Sequence, residues 1–355
     1  MEKKIRVLLA FDHEVPLGSI STSYKEAIFD PTDNILALAA ETGIKINLFT
    51  DILCNNFFKK HGEFDFCGLY ESQLQKTLRY GHDVQLHIHP HWINSGFQNK
   101  IFEPSSSYKL SDFKDGAYPD NIYGIIEQGI LNIDKICRPV KNDYQCIAYR
   151  AGGYNLEPET ELILSALFQL GIRIDSSIAK GLYFKTDYSH VDYKKMPEDC
   201  NWYISPKGNI RHAGKDGIFE IPIATIKAGL RTNLLHTLRK AKYKKRAFYS
   251  GKTIYAGKMK LIDKLRFVFS VRMLGFDLHT LSSGDLMKIL EHNVRRYSSG
   301  KEIILSTVSH PKNMGPYSLK LMKEFVDKTR EKYKDAVEFT TFTDIYRSKL
   351  TNQVI

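Results

Sequence analysis

Along the chain, short runs of apolar, often β-branched residues alternate with longer stretches in which apolar residues recur every three to four positions. The short runs predict strands at about 5–11, 45–50, 83–88, 145–149, 172–175, 218–221 and 303–308. The longer ones predict helices at 34–41, 69–79, 122–136, 159–170, 286–295 and 319–332. Strand followed by helix, repeated, is the signature of β/α units around a mostly parallel sheet or barrel. The expected fold class is therefore α/β, with about seven strands in one domain spanning residues 1–355 and no internal repeats.

Two stretches break the alternation. Residues 92–119 are rich in Ser, Gly and Asp, with Phe97, Phe102, Tyr108 and Tyr118 interspersed; so long a loop in a compact domain is expected to be functional, here as a lid. Residues 224–283 read as a basic helical insertion. They contain RKAKYKKR (239–246), in which six of eight residues are basic, followed by an apolar-basic segment at 261–274.

Composition narrows the class. With 355 residues, 43% hydrophobic and 26% charged, the chain can bury a full core. The excess of 51 Lys and Arg over 40 Asp and Glu, a net charge of +11, favours anionic partners. An anionic membrane surface is the expected partner of 239–246, because Leu234, Leu235 and Leu238 stand beside the cations; no nucleic-acid motif accompanies the charge. The five cysteines lie far apart without CxxC spacing and read as reduced thiols. The N-terminal apolar run is too short for a signal peptide, and 265–276 is too short and too charged to span a bilayer, so a cytoplasmic protein, peripheral at the inner membrane face, is expected.

The densest chemical signal is GHDVQLHIHPHW (81–92), in which a strand pattern runs into His87, His89 and His91. Imidazole is the commonest ligand of catalytic zinc-like ions, and two such groups at a strand end converge on one metal if a third ligand comes from elsewhere. VLLAFDHE offers that third ligand. Its strand ends in Asp12, His13 and Glu14, and alternation puts the two carboxylates on one face. Charged residues directly after an apolar strand are expected at the end of a β/α barrel where active sites collect. The aromatic face of Trp92 is a candidate for stacking on a sugar ring.

These motifs, in this order, resemble the polysaccharide deacetylases of the NodB-homology class, related to carbohydrate esterase family 4. GHDVQLHIHPH matches that family's Gly-His-Glu-Ile-Gly-Asn-His-Thr-x-x-His in register; YRAGGYN echoes its Arg-Pro-Pro-Tyr turn; LGIRIDSS, GIFEIP and IILSTVSHPK are similar to its later strands. The resemblance implies a distorted (β/α) barrel. It implies His87 and His91 as metal ligands, with His89 between them as an extra. Because His13 replaces the family's second aspartate, the third ligand is Glu14 or His13. It further implies Asp12 as general base oriented by Arg150, an oxyanion held by a backbone N–H around Gly153 and Tyr154, and His310 as the acid that protonates the leaving amine. Asp175 and Glu220 would orient the arginine or histidine. The implied cofactor is a divalent ion, zinc foremost, with Co, Ni, Mn or Fe also compatible with the donor set. The implied reaction is removal of an acyl group from an N-acylated sugar of a glycan, glycolipid or sugar nucleotide.

Two other readings compete. A catalytically altered relative on the same fold would bind carbohydrate without hydrolysing it, as His13 in place of an aspartate suggests. An amidohydrolase-type metalloenzyme would use the HIH pair, although that pair is expected on the first strand, which here carries Asp12.

Overall fold

The computed structural model describes residues 4–16, 23–98, 101–186, 189–247, 272–278, 282–300 and 302–353. A seven-stranded sheet runs in the order Trp202–Ile204, Ile218–Glu220, Ile174–Asp175, Ala148–Ala151, Asp83–Ile88, Asn47–Asp51, Ala10–His13. Its neighbours are parallel except for the antiparallel edge formed by Trp202–Ile204. A second, three-stranded parallel sheet places Lys4–Leu8 between Glu302–Ser306 and Val337–Phe339. Parallel bridges Phe11 to Ser309 and Ile223 to Ser306 join the two, closing a distorted α/β barrel.

The first predicted strand is thus two strands, split at Leu9: Lys4–Leu8 belongs to one sheet and Ala10–His13 to the other. Alternation survives the split. Val7, Leu9 and Phe11 pack outward into the layer beneath the helices, while Leu8 and Ala10 join Phe49, Ile174, Phe219 and Ile304 in the barrel interior. Phe342, at the start of the helix Phe342–Gln353, packs edge-on against Phe49 there. The sequence pattern did not predict that helix, nor Ile52–Lys60.

Local chemistry fixes the helix ends. Asn121 accepts the Gly124 N–H at 2.8 Å to start Ile122–Cys137, and Ser282 and Asp285 form a reciprocal capping box at Ser283–Arg296. Gly43, at φ 60°, ends Asp30–Thr42.

The 92–119 loop is packed down rather than open. Trp92, Phe97 and Phe102 interlock with Phe57 of the helix Ile52–Lys60, Tyr108 is buried, and Tyr118 is exposed. The expected lid aromatics other than Tyr118 therefore belong to the core, because the helix Ile52–Lys60 supplies an aromatic face for them. Within 224–283, the strand Thr225–Ala228 leaves the barrel, the helix Leu230–Ala247 carries the basic run, and Arg272–Gly275 returns antiparallel to Thr225–Ala228. Most of the expected 261–274 segment lies outside the described residues. No helix among the described residues is long and apolar enough to cross a membrane. All five cysteines are thiols, four of them buried.

Candidate active site

Four strand ends deliver the site. Ala10–His13 presents Asp12, with Glu14 just beyond it; Asp83–Ile88 presents His87 and, one extended residue past its end, His89; Ala148–Ala151 presents Arg150; and the segment after Glu302–Ser306 presents His310 and Lys312. All lie at the C-terminal ends of parallel strands, where β/α folds gather their functional groups.

Arg150 organises one half. Its side chain is 1% exposed, its guanidinium lies over the Phe49 ring at 4.3 Å, and Nη1 donates to Asp12 Oδ1 at 2.7 Å. Nε donates to the Ser176 carbonyl, and Nη2 to Ser176 Oγ, Ser306 Oγ and the Thr307 carbonyl. A buried charge so fully bonded is fixed in position. Burial alone would raise the Asp12 pKa, but the guanidinium, aided by His87 and His310, brings it below the ordinary carboxylate value. Asp12 Oδ2 faces His310 Nε2 at 3.7 Å.

Glu14 organises the other half. Its Oε2 lies 3.3 Å from His87 Nε2 and 2.5 Å from His89 Nε2, while Oε1 accepts from the Lys312 ammonium and lies 3.5 Å from His310 Nε2. These cations outweigh the effect of burial and hold the Glu14 carboxyl well below its usual range. His87 Nδ1 donates to the Arg150 carbonyl at 2.9 Å, which directs Nε2 into the site. His89 Nε2, although close to Glu14, makes no hydrogen bond of acceptable geometry among the described residues. Glu14, His87 and His89 each offer one ligand atom, all within 4.8 Å of one another.

The residues expected from sequence divide clearly. Asp12, Glu14, His87, Arg150 and His310 converge. His89, expected as an extra, joins Glu14 and His87, whereas His91 lies outside that trio, its ring stacked on Tyr108 at 5.2 Å and its pKa pushed down by burial to about 2. The cause is backbone geometry: His89 keeps an extended conformation (φ −108°, ψ 99°) and shares a strand face with His87, while a 3-10 turn begins at Pro90 and turns His91 away. Neither ring nitrogen of His91 makes a hydrogen bond among the described residues.

His13 points the other way, as alternation requires. Its nitrogens engage Thr50 Oγ1 at 3.3 Å and Gln73 Oε1 at 2.9 Å, and burial lowers its pKa to about 4; it is not gathered with Glu14, His87 and His89. Trp92 is 2% exposed, stacks on Phe102, and donates Nε1 to Asp51 Oδ2 at 2.6 Å. It offers no face to a sugar. Gly152 lies against His89: a Cβ there would meet the Ile88 carbonyl at 2.5 Å and His89 Nδ1 at 2.7 Å. Gly153 and Tyr154 follow, both at φ 61°.

Asp175 and Glu220 are fully buried and lie near each other, not on Arg150. Asp175 accepts from Ser177 Oγ at 2.7 Å, and Ser177 Oγ accepts the Ala151 N–H, so the carboxyl steadies the residue after Arg150. Burial first, and Asp175 second, raise Glu220 well above its ordinary value.

Sequence reasoning missed two residues. Asp51 ends Asn47–Asp51, accepts the His89 N–H at 3.3 Å as well as the Trp92 indole, and so fixes the residues on either side of Pro90–His91. The signal was the same apolar strand ending in an acid that singled out Asp12. Lys312 follows His310 by two residues, and nothing in the pattern distinguishes it from a surface lysine.

No protein-family model and no curated protein matches the sequence. Among solved structures, the chain is similar to a 4-α-glucanotransferase from Thermococcus litoralis, at 13% identity and a TM-score of 0.50 over 98% of this chain and 41% of that one. It is also similar to a protein described as a polysaccharide deacetylase from Mycobacterium smegmatis (12%, 0.49, covering 99% and 92%) and to an allantoinase (12%, 0.47, covering 97% and 90%). At 13% identity the likeness to the glucanotransferase is one of fold alone, and the distorted α/β barrel is set by this chain's own strand order and bridges.

Proposed function

We propose that the protein is a metal-dependent amide hydrolase that removes an acyl group from an N-acylated sugar. The observation that carries this reading is the meeting of an arginine-held carboxylate, Asp12, a Glu14–His87–His89 donor trio and His310 in one strand-end cluster. Two imidazoles and a carboxylate whose ligand atoms lie within 4.8 Å of one another, with the His89 nitrogen 2.5 Å from the carboxylate, suit a divalent ion. Glu14, His87 and His89 would hold it, and zinc fits the donor set, as do Co, Ni, Mn and Fe. When bound, such an ion supplies Lewis-acid polarisation and makes water acidic near neutral pH.

This chain's own residues supply the rest. Asp12, kept ionised by Arg150, takes the proton of the attacking water as it adds to the amide carbonyl. Backbone N–H groups of the Gly153–Tyr154 turn face the developing oxyanion. His310, with Nε2 3.7 Å from Asp12 and 3.5 Å from Glu14, is placed to relay the proton that Asp12 takes from water to the departing amine. The C–N bond breaks, leaving a carboxylate and an amine. Asp175 steadies the Ala151 backbone beneath these groups.

The protein works in the cytoplasm, with the helix Leu230–Ala247 resting on an anionic membrane face. Its support is the coexistence on that helix of exposed leucines and of the basic run. Elemental analysis of the purified protein, combined with an amine-release screen over N-acylated sugars and sugar nucleotides, tests the activity. Stoichiometric metal and release from at least one substrate are expected. Sugar binding without metal or release would favour the non-catalytic carbohydrate binder, to which His13 at the usual aspartate position points.

A further inference from the structure

A cavity of about 260 Å³ is lined by Tyr154 and Val308, the first next to the Gly153 turn and the second two residues before His310. One wall is a small apolar cluster of Ala179, Ile223 and Val308, separate from the main core, with Leu182 and the Tyr154 ring packed on it. The facing wall is Met273–Gly275, from the strand that returns from the insertion. The cavity adjoins the reaction centre through the chain itself. Val308 follows Thr307, whose carbonyl accepts from Arg150 at 3.1 Å, and lies two residues before His310. Asp277, at the edge, accepts from Ser309 Oγ at 2.7 Å, and its charge reaches both His310 and Tyr154. Tyr154 holds a left-handed conformation that a residue with a side chain retains only where its surroundings over-determine it.

We propose that this cavity receives the acyl group, so that the enzyme removes an aliphatic N-acyl chain longer than acetyl. The inference rests on the hydrolase reading and specifies its substrate class. An acetyl group needs room for one methyl beyond the carbonyl, whereas 260 Å³ accommodates roughly eight groups of water or methylene size. A hydroxylated ring needs a polar partner for each buried oxygen, and most of the lining side chains are aliphatic or aromatic. Because one wall is the strand Arg272–Gly275, that strand sets acyl specificity.

Each methylene buried in such a cavity improves binding about fourfold. The test compares N-acetyl-, N-butanoyl- and N-hexanoylglucosamine on the full-length protein, with amine release and calorimetric binding measured separately. The hexanoyl compound is expected to exceed the acetyl compound at least tenfold in both kcat/KM and affinity. Gly275→Val adds a side chain whose Cβ meets nothing within 4 Å and narrows the cavity, so the hexanoyl-to-acetyl ratio falls at least fivefold; Ala179→Leu does the same from the opposite wall should the strand variant fold poorly. Equal affinity and turnover across chain lengths, or a ratio unchanged in both variants, would overturn the proposal while leaving the hydrolase reading intact. Tighter hexanoyl binding, lost in the variants but unaccompanied by amine release, would support the acyl cavity and refute hydrolysis.

Discussion

Glu14 is asked to satisfy four cationic or potentially cationic groups at once: His87 and His89 on one oxygen, Lys312 and His310 on the other. A carboxylate so placed suits a metal ligand better than a base, because its pKa is held low and both oxygens are committed. Asp12, with one oxygen on Arg150 and the other toward His310, is left for proton transfer. Asp12→Asn is therefore expected to cut turnover by about 10²- to 10⁴-fold while retaining metal, and Glu14→Gln to lose metal; the opposite pairing, read by elemental analysis and amine release, would exchange their roles. His87→Ala and His89→Ala should each lower metal affinity by about 10- to 100-fold or more, taking the cost of losing a supporting group as a floor, whereas His91→Ala should keep it. Metal retained in His89→Ala and lost in His91→Ala would return the second imidazole ligand to position 91.

At the scale of elements, strand alternation decides more than motif spacing. The resemblance pairs His87 with His91, four residues apart, yet the extended strand keeps His87 and His89 on one face and the turn at Pro90 removes His91. Gly152 tests this arrangement. An alanine there would press on the Ile88 carbonyl and the His89 ring, so Gly152→Ala should weaken metal binding about tenfold by displacing His89, the lower end of the range for a supporting group; unchanged metal affinity would mean that His89 has no part in it. Most of the barrel strands, the carboxylate pair at Asp12 and Glu14, Arg150 and His310 were legible in the sequence because each is local, an apolar run ending in a functional group; the three-residue strands Trp202–Ile204 and Val337–Phe339 were not, being too short to show a pattern. Lys312 and Asp51 were not, since their roles arise only when distant strands bring Glu14 and His89 to them. The buried pair below the site adds a prediction about pH. Glu220 has its pKa raised chiefly by burial, with one oxygen lacking a hydrogen bond among the described residues. Such a group contributes stability below its unfolded pKa, and that contribution is lost as pH rises toward the folded value. Glu220→Gln cannot ionise, so its Tm relative to the natural protein should rise between pH 5 and pH 8; a difference independent of pH would show that Glu220 titrates as an ordinary carboxyl.

At the scale of the molecule, the helix Leu230–Ala247 presents two opposite faces. Asn233 and His236 point inward, and His236 helps line the proposed acyl cavity. Leu230, Leu234, Leu235 and Leu238 point outward, each between 44% and 58% exposed. Spacings of four residues put Leu230, Leu234 and Leu238 in one stripe, with Arg231 and Lys242 exposed alongside them. Four exposed leucines on one helix are an unusual cost for a face that meets only water. On an anionic bilayer, the leucines enter the headgroup boundary while each cation near the surface contributes about 1 kcal/mol. The same helix would then hold the cavity's wall close to the membrane, where a substrate carrying a long acyl chain resides. Sedimentation with vesicles of pure phosphatidylcholine and with phosphatidylglycerol added, each at 0.1 M and 1 M salt, separates the contributions. Binding should require the anionic lipid and weaken at high salt, where the Debye length falls from about 10 Å to about 3 Å. Leu234→Glu combined with Leu238→Glu should abolish it at either salt concentration while leaving turnover of a soluble N-acyl sugar intact. Equal, negligible binding to both kinds of vesicle would make the leucine face a surface for some other contact and leave the cations as solvated charge.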